Sequence, residues 1–207
     1  MCIRDSLQEI TCLSLTGADA DDPNRIPISN PLLAETSHLR TTLWQEHLQV
    51  CQRNLQASQP GCWLFEIGNV FHPQDREIVQ SARLGGVICG ERRVSRWATS
   101  GKAFVPDYFM ARGALATVLN SLGLETQDRP LADDPRLHPG RAAAVVVEGR
   151  TLGCFGQLHP MLCAQYELPD ATYLFDLDLQ RLLEAVTRRN RWVPSFKSFS
   201  TLPAMER

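Results

Sequence analysis

Residues 62–71 restrict the architecture more than any other stretch. Trp63, Phe65, Ile67 and Phe71 fall on one side of an extended backbone, and Leu64 and Val70 on the other. Side chains of a strand alternate between its faces, so a strand apolar on both must lie in a sheet covered on both sides. Helices can supply the covering layers, and three segments have the helical period. In 35–57, Leu39, Leu43, His47/Leu48, Cys51 and Leu55 recur every three to four residues, between Pro31 and Pro60-Gly61. Leu39, Leu43, Cys51 and Leu55 are expected to be buried, with Gln45, Gln49, Arg53 and Gln56 facing solvent or a partner. A second helix is expected over 107–122, stopped by Gly123, and a third over 178–188, carrying Leu179, Leu182, Leu183 and Val186.

Further strands are expected at 7–15, 83–90, 143–147, 151–157 and 172–176, with a hairpin around Glu148-Gly149 and a short helix over 160–166. Polar loops fill 17–30, with a short extended end at Ile26 and Ile28, and 72–80. Another runs from Glu91 through Trp97 to Pro106, and 192–207 reads as an extended tail. The fold class is therefore α+β, a mainly antiparallel sheet flanked by helices, in one domain. The length of 207 residues suits one such core.

The formal net charge of -2 gives no overall bias toward polyanions, so a nucleic-acid role would need a local patch. No apolar run has the length of a membrane span. The seven cysteines are spread singly without a Cys-x-x-Cys pair, which argues against a zinc knuckle and for free, mostly buried thiols in a reducing cytoplasm. There is no P-loop, no His-Glu-x-x-His and no Gly-x-Ser-x-Gly, and the glycines of 85–90 lack dinucleotide-binding spacing. His138 and His159 each precede a proline and read as turn histidines, the alternative being a ligand or proton-transfer role. Glu66 lies inside the apolar strand, where a carboxylate needs a partner; a structural pairing with an arginine is expected. Two basic clusters stand beside aromatics: Arg92, Arg93, Arg96 and Lys102 around Trp97, and Arg188, Arg189 and Arg191 next to Trp192. Such clusters can grip a phosphate backbone and stack on a base, or be a solvated face.

Six ordered segments carry a resemblance: ISNPLLAETSHLRTTL at 28–43, LFEIGNVF at 64–71, HPGRAA at 138–143, FGQLHP at 155–160, YLFDLD at 173–178, and the stretch 199–207. In order and spacing they resemble the bacterial phenylalanine–tRNA ligase beta chain, in its class II aminoacyl-tRNA synthetase-like core, over 7–207. Residues 1–6 have no counterpart there and are expected to be a non-native leader. The resemblance also implies that 7–207 is a core module truncated at its C-terminal end.

The resemblance implies an enzyme of two alpha and two beta subunits that joins phenylalanine to its tRNA in the cytoplasm, using ATP and magnesium at a site in the alpha chain. This module would be a non-catalytic scaffold and subunit interface, with no catalytic, cofactor-binding or metal residue of its own. The long helix over 35–57 would meet the alpha chain. Arg92, Arg93, Arg96, Arg188, Arg189 and Arg191 would be the contacts to a partner or tRNA. Active class II sites clamp the ATP α-phosphate with an Arg-x-Glu strand; here Leu64 stands two positions before Glu66. The competing expectations are a stand-alone RNA-binding module and a free-standing adenylate-forming enzyme.

Overall fold

The computed structural model describes residues 7–19, 22–75, 77–93 and 103–191. The strands, in chain order, are β1 (Gln8–Glu9), β2 (Leu15–Thr16), β3 (Ile26–Pro27), β4 (His38–Leu39), β5 (Gly61–Gln74), β6 (Glu77–Gly90), β7 (Arg92–Arg93), β8 (Ala103–Phe104), β9 (Gln127–Pro130), β10 (Leu137–Val147), β11 (Arg150–Leu158) and β12 (Thr172–Asp178). The helices are α1 (Trp44–Gln56), α2 (Tyr108–Ser121), α3 (Pro160–Gln165) and α4 (Leu179–Arg191). Seven strands form the central sheet in the order β1-β5-β6-β12-β11-β10-β9, antiparallel at every contact except β1 with β5. This is the expected α+β, mainly antiparallel arrangement.

Alternation along the strands sends two sets of side chains to two cores. Trp63, Ile88, Val145, Phe155, Tyr173, Phe175 and Leu177 pack with Ala111, Leu115 and Leu119 of α2 and Leu182 and Ala185 of α4. Cys62, Leu64, Val87, Cys89, Leu158 and Leu174 pack on the other face with Leu48 and Cys51 of α1 and Cys163 of α3. Each of these leucines contributes about 1.5–3 kcal/mol on burial, and the sheet is covered on both sides as the 62–71 pattern requires. The six cysteines among the described residues are unpaired, five of them buried.

Local chemistry sets the element ends. Asp107 caps α2, accepting a hydrogen bond from the Met110 amide at 2.7 Å, and Gly123 takes φ +74 just past its end. His159 caps α3 through Nδ1, which accepts from the Met161 amide, and His138 Nδ1 accepts from the Gly140 amide. His159 is thus a helix-capping turn residue, as its proline neighbour suggests, whereas His138, expected in a loop, stands in the irregular first part of β10, where the register shifts between Leu137 and Ala142. Glu148 and Gly149, at φ 49 and φ 79, make the two-residue turn between β10 and β11, the conformation that matches strand twist.

Several expectations need correcting. The helix over 35–57 begins only at Trp44. A 3-10 turn, Ala34–Thr36, comes first, and then His38–Leu39 pairs with both β2 and β3. The backbone there is committed to sheet, and Thr41 and Thr42 are weak helix formers. The strand over 7–15 is two short pieces, β1 and β2, which join different sheets. The loop over 72–80 is paired strand: β5 and β6 stay in register from Gly61↔Gly90 to Gln74↔Glu77. Its polarity reflects exposure, and Pro73 is tolerated because β1 borders β5 only at Leu64 and Phe65. Arg92 and Arg93, expected in a loop, form β7 with β8. The edge strand β9, polar and exposed throughout, has no sequence signature. The tail 192–207, Arg96, Trp97 and Lys102 lie outside the described residues.

Candidate functional site

Glu66 projects from β5 toward α1 and is 1% exposed. Its Oε1 accepts from Arg40 Nη2 at 2.8 Å, and its Oε2 lies 3.1 Å from His47 Nε2. Arg40 and His47 are equally enclosed, at 2% and 0% exposure. A charge removed from water needs a counter-charge and full hydrogen bonding. Arg40 supplies the first and is itself anchored: Nε donates to the Asn69 carbonyl at 2.9 Å, its amide donates to the Ser14 carbonyl, and its carbonyl accepts from the Phe71 amide. The segment leading into α1 is thereby tied to β5 at both backbone and side chain. His47 Nδ1 is buried without a partner, so the tautomer with its proton on Nε2 places the hydrogen where the carboxylate accepts it. Burial pushes the Glu66 carboxyl up, but the hydrogen bonds from His47 and Arg40 and the Arg40 charge outweigh it and hold the group below the usual carboxylate range. Gly68 makes room for the pair: a Cβ there would stand 2.4 Å from Arg40 Nη2 and 2.7 Å from Glu66 Oε1.

Cys12, His47 and Glu66 present donor atoms within 4.8 Å of one another, a grouping able to hold a metal ion. Two features oppose that use. The Arg40 guanidinium already provides positive charge at the same carboxylate. The Cys12 thiol is pushed up to about 11, by burial first and then by Glu66, and so stays protonated at neutral pH. Acid–base chemistry is opposed as well, because a sealed carboxylate held low neither reaches a ligand nor changes protonation near pH 7.

The pairing continues across this face of the sheet. Glu66 is opposite Gly85, Gly85 opposite Asp176, and Asp176 opposite Cys154. Arg83 Nη2 and Arg136 Nη1 hold the two oxygens of Asp176 at 2.7 and 2.8 Å, and Arg136 Nη2 also holds Asp134 at 2.7 Å. Arg136 is held above its ordinary value by these carboxylates despite burial, and Asp134 below its own. On the far side of the sheet, Arg112 forms a two-pronged pair with Asp128 that ties α2 to β9. These guanidiniums are committed to carboxylates of the chain, so phosphoryl oxygens would have to break existing pairs to gain them. Leu64 is 2% exposed in the core beneath α1, so a side chain there faces a helix and no open ligand site. Its not being arginine is a packing fact, and the comparison with an Arg-x-Glu strand rests on the resemblance alone.

Of the residues singled out in the sequence, only Glu66 is brought into this constellation. Arg92 and Arg93 lie in β7, and Arg188, Arg189 and Arg191 in the last turns of α4; their side chains, and all of Arg96, lie outside the description. The expected arginine partner of Glu66 is Arg40. Neither it nor His47 was identifiable in advance, although a histidine at an apolar position of α1 is the signal that marks His47.

Residues 4–179 match the family described as the phenylalanyl tRNA synthetase beta chain CLM domain. The chain is 64% identical over 201 residues to the phenylalanine–tRNA ligase beta subunit of Parasynechococcus marenigrum (strain WH8102), which covers 97% of this chain and 25% of that protein. It is 63% identical, with the same coverage, to the corresponding subunit of Synechococcus sp. (strain CC9902). It thus spans about a quarter of the length of the curated relatives it matches. The crystal structure of pyrrolysyl-tRNA synthetase from Desulfitobacterium hafniense has a similar fold, with a TM-score of 0.65 at 13% identity, over 90% of this chain and 65% of that one. The chain belongs to the phenylalanyl-tRNA synthetase beta chain CLM domain family.

Proposed function

We propose that this chain is the core module of a phenylalanine–tRNA ligase beta subunit and acts as a non-catalytic scaffold and subunit interface. The partner is the alpha subunit, in an assembly of two alpha and two beta chains in the cytoplasm. ATP, magnesium and phenylalanine are handled by the alpha chain. The observation that carries this is the internal pairing of charge on the synthetase-type sheet: Glu66 with Arg40, and Asp176 and Asp134 with Arg83 and Arg136. A surface arranged in this way keeps its shape and offers little to a triphosphate. Arg92, Arg93, Arg96, Arg188, Arg189 and Arg191 are the proposed contacts to tRNA or the partner. Among the described residues no helix is long and apolar enough to cross a membrane. The test is co-purification of the tagged chain with the cognate alpha subunit. A stoichiometric complex on size exclusion is expected, and elution of the two proteins separately at micromolar concentration contradicts the interface role.

A further inference from the structure

Three thiols in the core beneath α1 have no part in the Glu66 network. Cys62 and Cys89 stand directly opposite each other on β5 and β6, and Cys51 reaches them from α1. All three are buried, Cys62 the least so. Cys51 Sγ lies 3.9 Å from the Cys62 carbonyl oxygen, and its thiol hydrogen-bonds the sulfurs of both strand cysteines. The Glu91 amide donates to the Pro60 carbonyl, so Cys62 and Cys89, two positions further along, are a hydrogen-bonded cross-strand pair. Side chains of such a pair stand farther apart than a disulfide favours. Cys51 is therefore the sulfur placed to bridge. The protons are unevenly held as well. The hydrogen bonds to Cys62 and Cys89, and then burial, push the Cys51 thiol up. The hydrogen bond from Cys51 outweighs burial at Cys62 and Cys89 and holds both below the ordinary thiol value. The Thr172 hydroxyl, 3.3 Å from Cys89 Sγ, acts in the same direction there. Elsewhere in the same core burial pushes Cys154 up to about 12 and Cys163 up to about 11. A lowered thiol is the one that reacts, and Cys62 also follows closely on the exposed turn 56–59 between α1 and β5.

We propose that Cys51, Cys62 and Cys89 form a reversible oxidation site, at which hydrogen peroxide joins Cys51 and one strand cysteine in a disulfide that ties α1 to the sheet. The Cys62 sulfur attacks the peroxide: an S–O bond forms, the O–O bond breaks, and one water leaves. The Cys51 sulfur then attacks the resulting sulfenic acid. The S–S bond forms, the S–O bond breaks, and the hydroxyl leaves with a thiol proton as a second water. Two thiols have together lost two electrons and two protons, and the peroxide has been reduced to two waters. Cys89 can afterwards attack the Cys51 sulfur and release Cys62 as a thiol, so either strand cysteine can hold the bond.

Peptide mapping of the full-length protein, exposed to hydrogen peroxide in its assembled form, tests this. The fraction that still elutes as assembled protein is collected, and its free thiols are blocked with iodoacetamide before digestion. Trypsin cuts after Arg53 and Arg83, so the three cysteines fall on three separate peptides. A linked pair of peptides joining Cys51 to Cys62 or Cys89 is expected, lighter by two hydrogens than the sum of its reduced members and released by dithiothreitol. Cys12, the one described cysteine that is not buried, should stay unlinked. Absence of a link through Cys51, its recovery only from protein that has lost its assembly, or links through Cys12 in equal yield overturns the proposal. Retention of the alpha subunit is scored separately, so failure here leaves the scaffold role standing.

Discussion

Glu66 occupies a position where an unanswered charge would unfold the protein, and its environment answers it on both oxygens. Removing that charge should leave Arg40 buried and unpaired. Glu66→Gln is therefore expected to cost about 3 kcal/mol, as for other broken buried pairs, in denaturant unfolding. A cost below about 0.5 kcal/mol, the range of surface substitutions, contradicts the pairing. In the proposed ligase assembly the same variant should reduce stability or assembly more than turnover. Because the Glu66 carboxyl is held below its ordinary value, its contribution is fully present above about pH 4.3, the value of an unfolded glutamate. It is lost as the pH falls through the lower folded value. Stability measured across acid pH should thus decline less steeply in Glu66→Gln than in the parent, and parallel curves would refute the linkage. The need for a basic partner was legible from one carboxylate in an apolar strand. The identity of that partner was not, because Arg40 sits in a segment whose leucine spacing imitates a helix and reaches Glu66 only through tertiary folding.

At the level of elements, α1 approaches the sheet through Leu43, which is 4% exposed and lies against Gly85, where a Cβ would stand 3.3 Å from two Leu43 carbons. Leu43→Ala should cost about 2–5 kcal/mol, the range for buried leucine truncations; thermal unfolding gives the value, and a change under about 0.5 kcal/mol shows an exposed site. Gly68→Ala should also destabilise, because the atoms that a Cβ would meet belong to Arg40 and Glu66 and are locked by their own pair. Unchanged stability in Gly68→Ala would mean that the pair can shift aside. The hairpin at Glu148-Gly149 and the helix capped by Asp107 were legible because turn and cap chemistry is local. The outer half of the β5–β6 hairpin was not, since polar exposed strands resemble loops when only hydrophobicity is read. The strand β9 was hidden for the same reason, its partner being supplied by β10. Gln45, expected to face solvent or a partner, instead bonds Asp19 and Arg25 from a loop that periodicity does not describe.

For the molecule as a whole, strand alternation was enough to call a two-sided α+β sheet, and the quoted segments were enough to name the family. What neither contains is the charge pairing across the sheet face, which joins residues as far apart as Arg83 and Asp176. If the basic clusters contact tRNA, replacing Arg92, Arg93 and Arg96 together by alanine should flatten the salt dependence of tRNA binding by the assembled enzyme, with fewer counterions released. An unchanged slope removes those arginines from the interface. That the proposed scaffold is non-catalytic is tested most directly by phenylalanine-dependent ATP–pyrophosphate exchange. Adenylate formation must hold a carboxylate against a triphosphate while charge builds at phosphorus, and the guanidiniums of this sheet face are already committed. With the chain cooperatively folded and alone, exchange should remain at background and rise only when the alpha subunit is added; phenylalanine-dependent exchange without alpha would show that this chain houses a working active site.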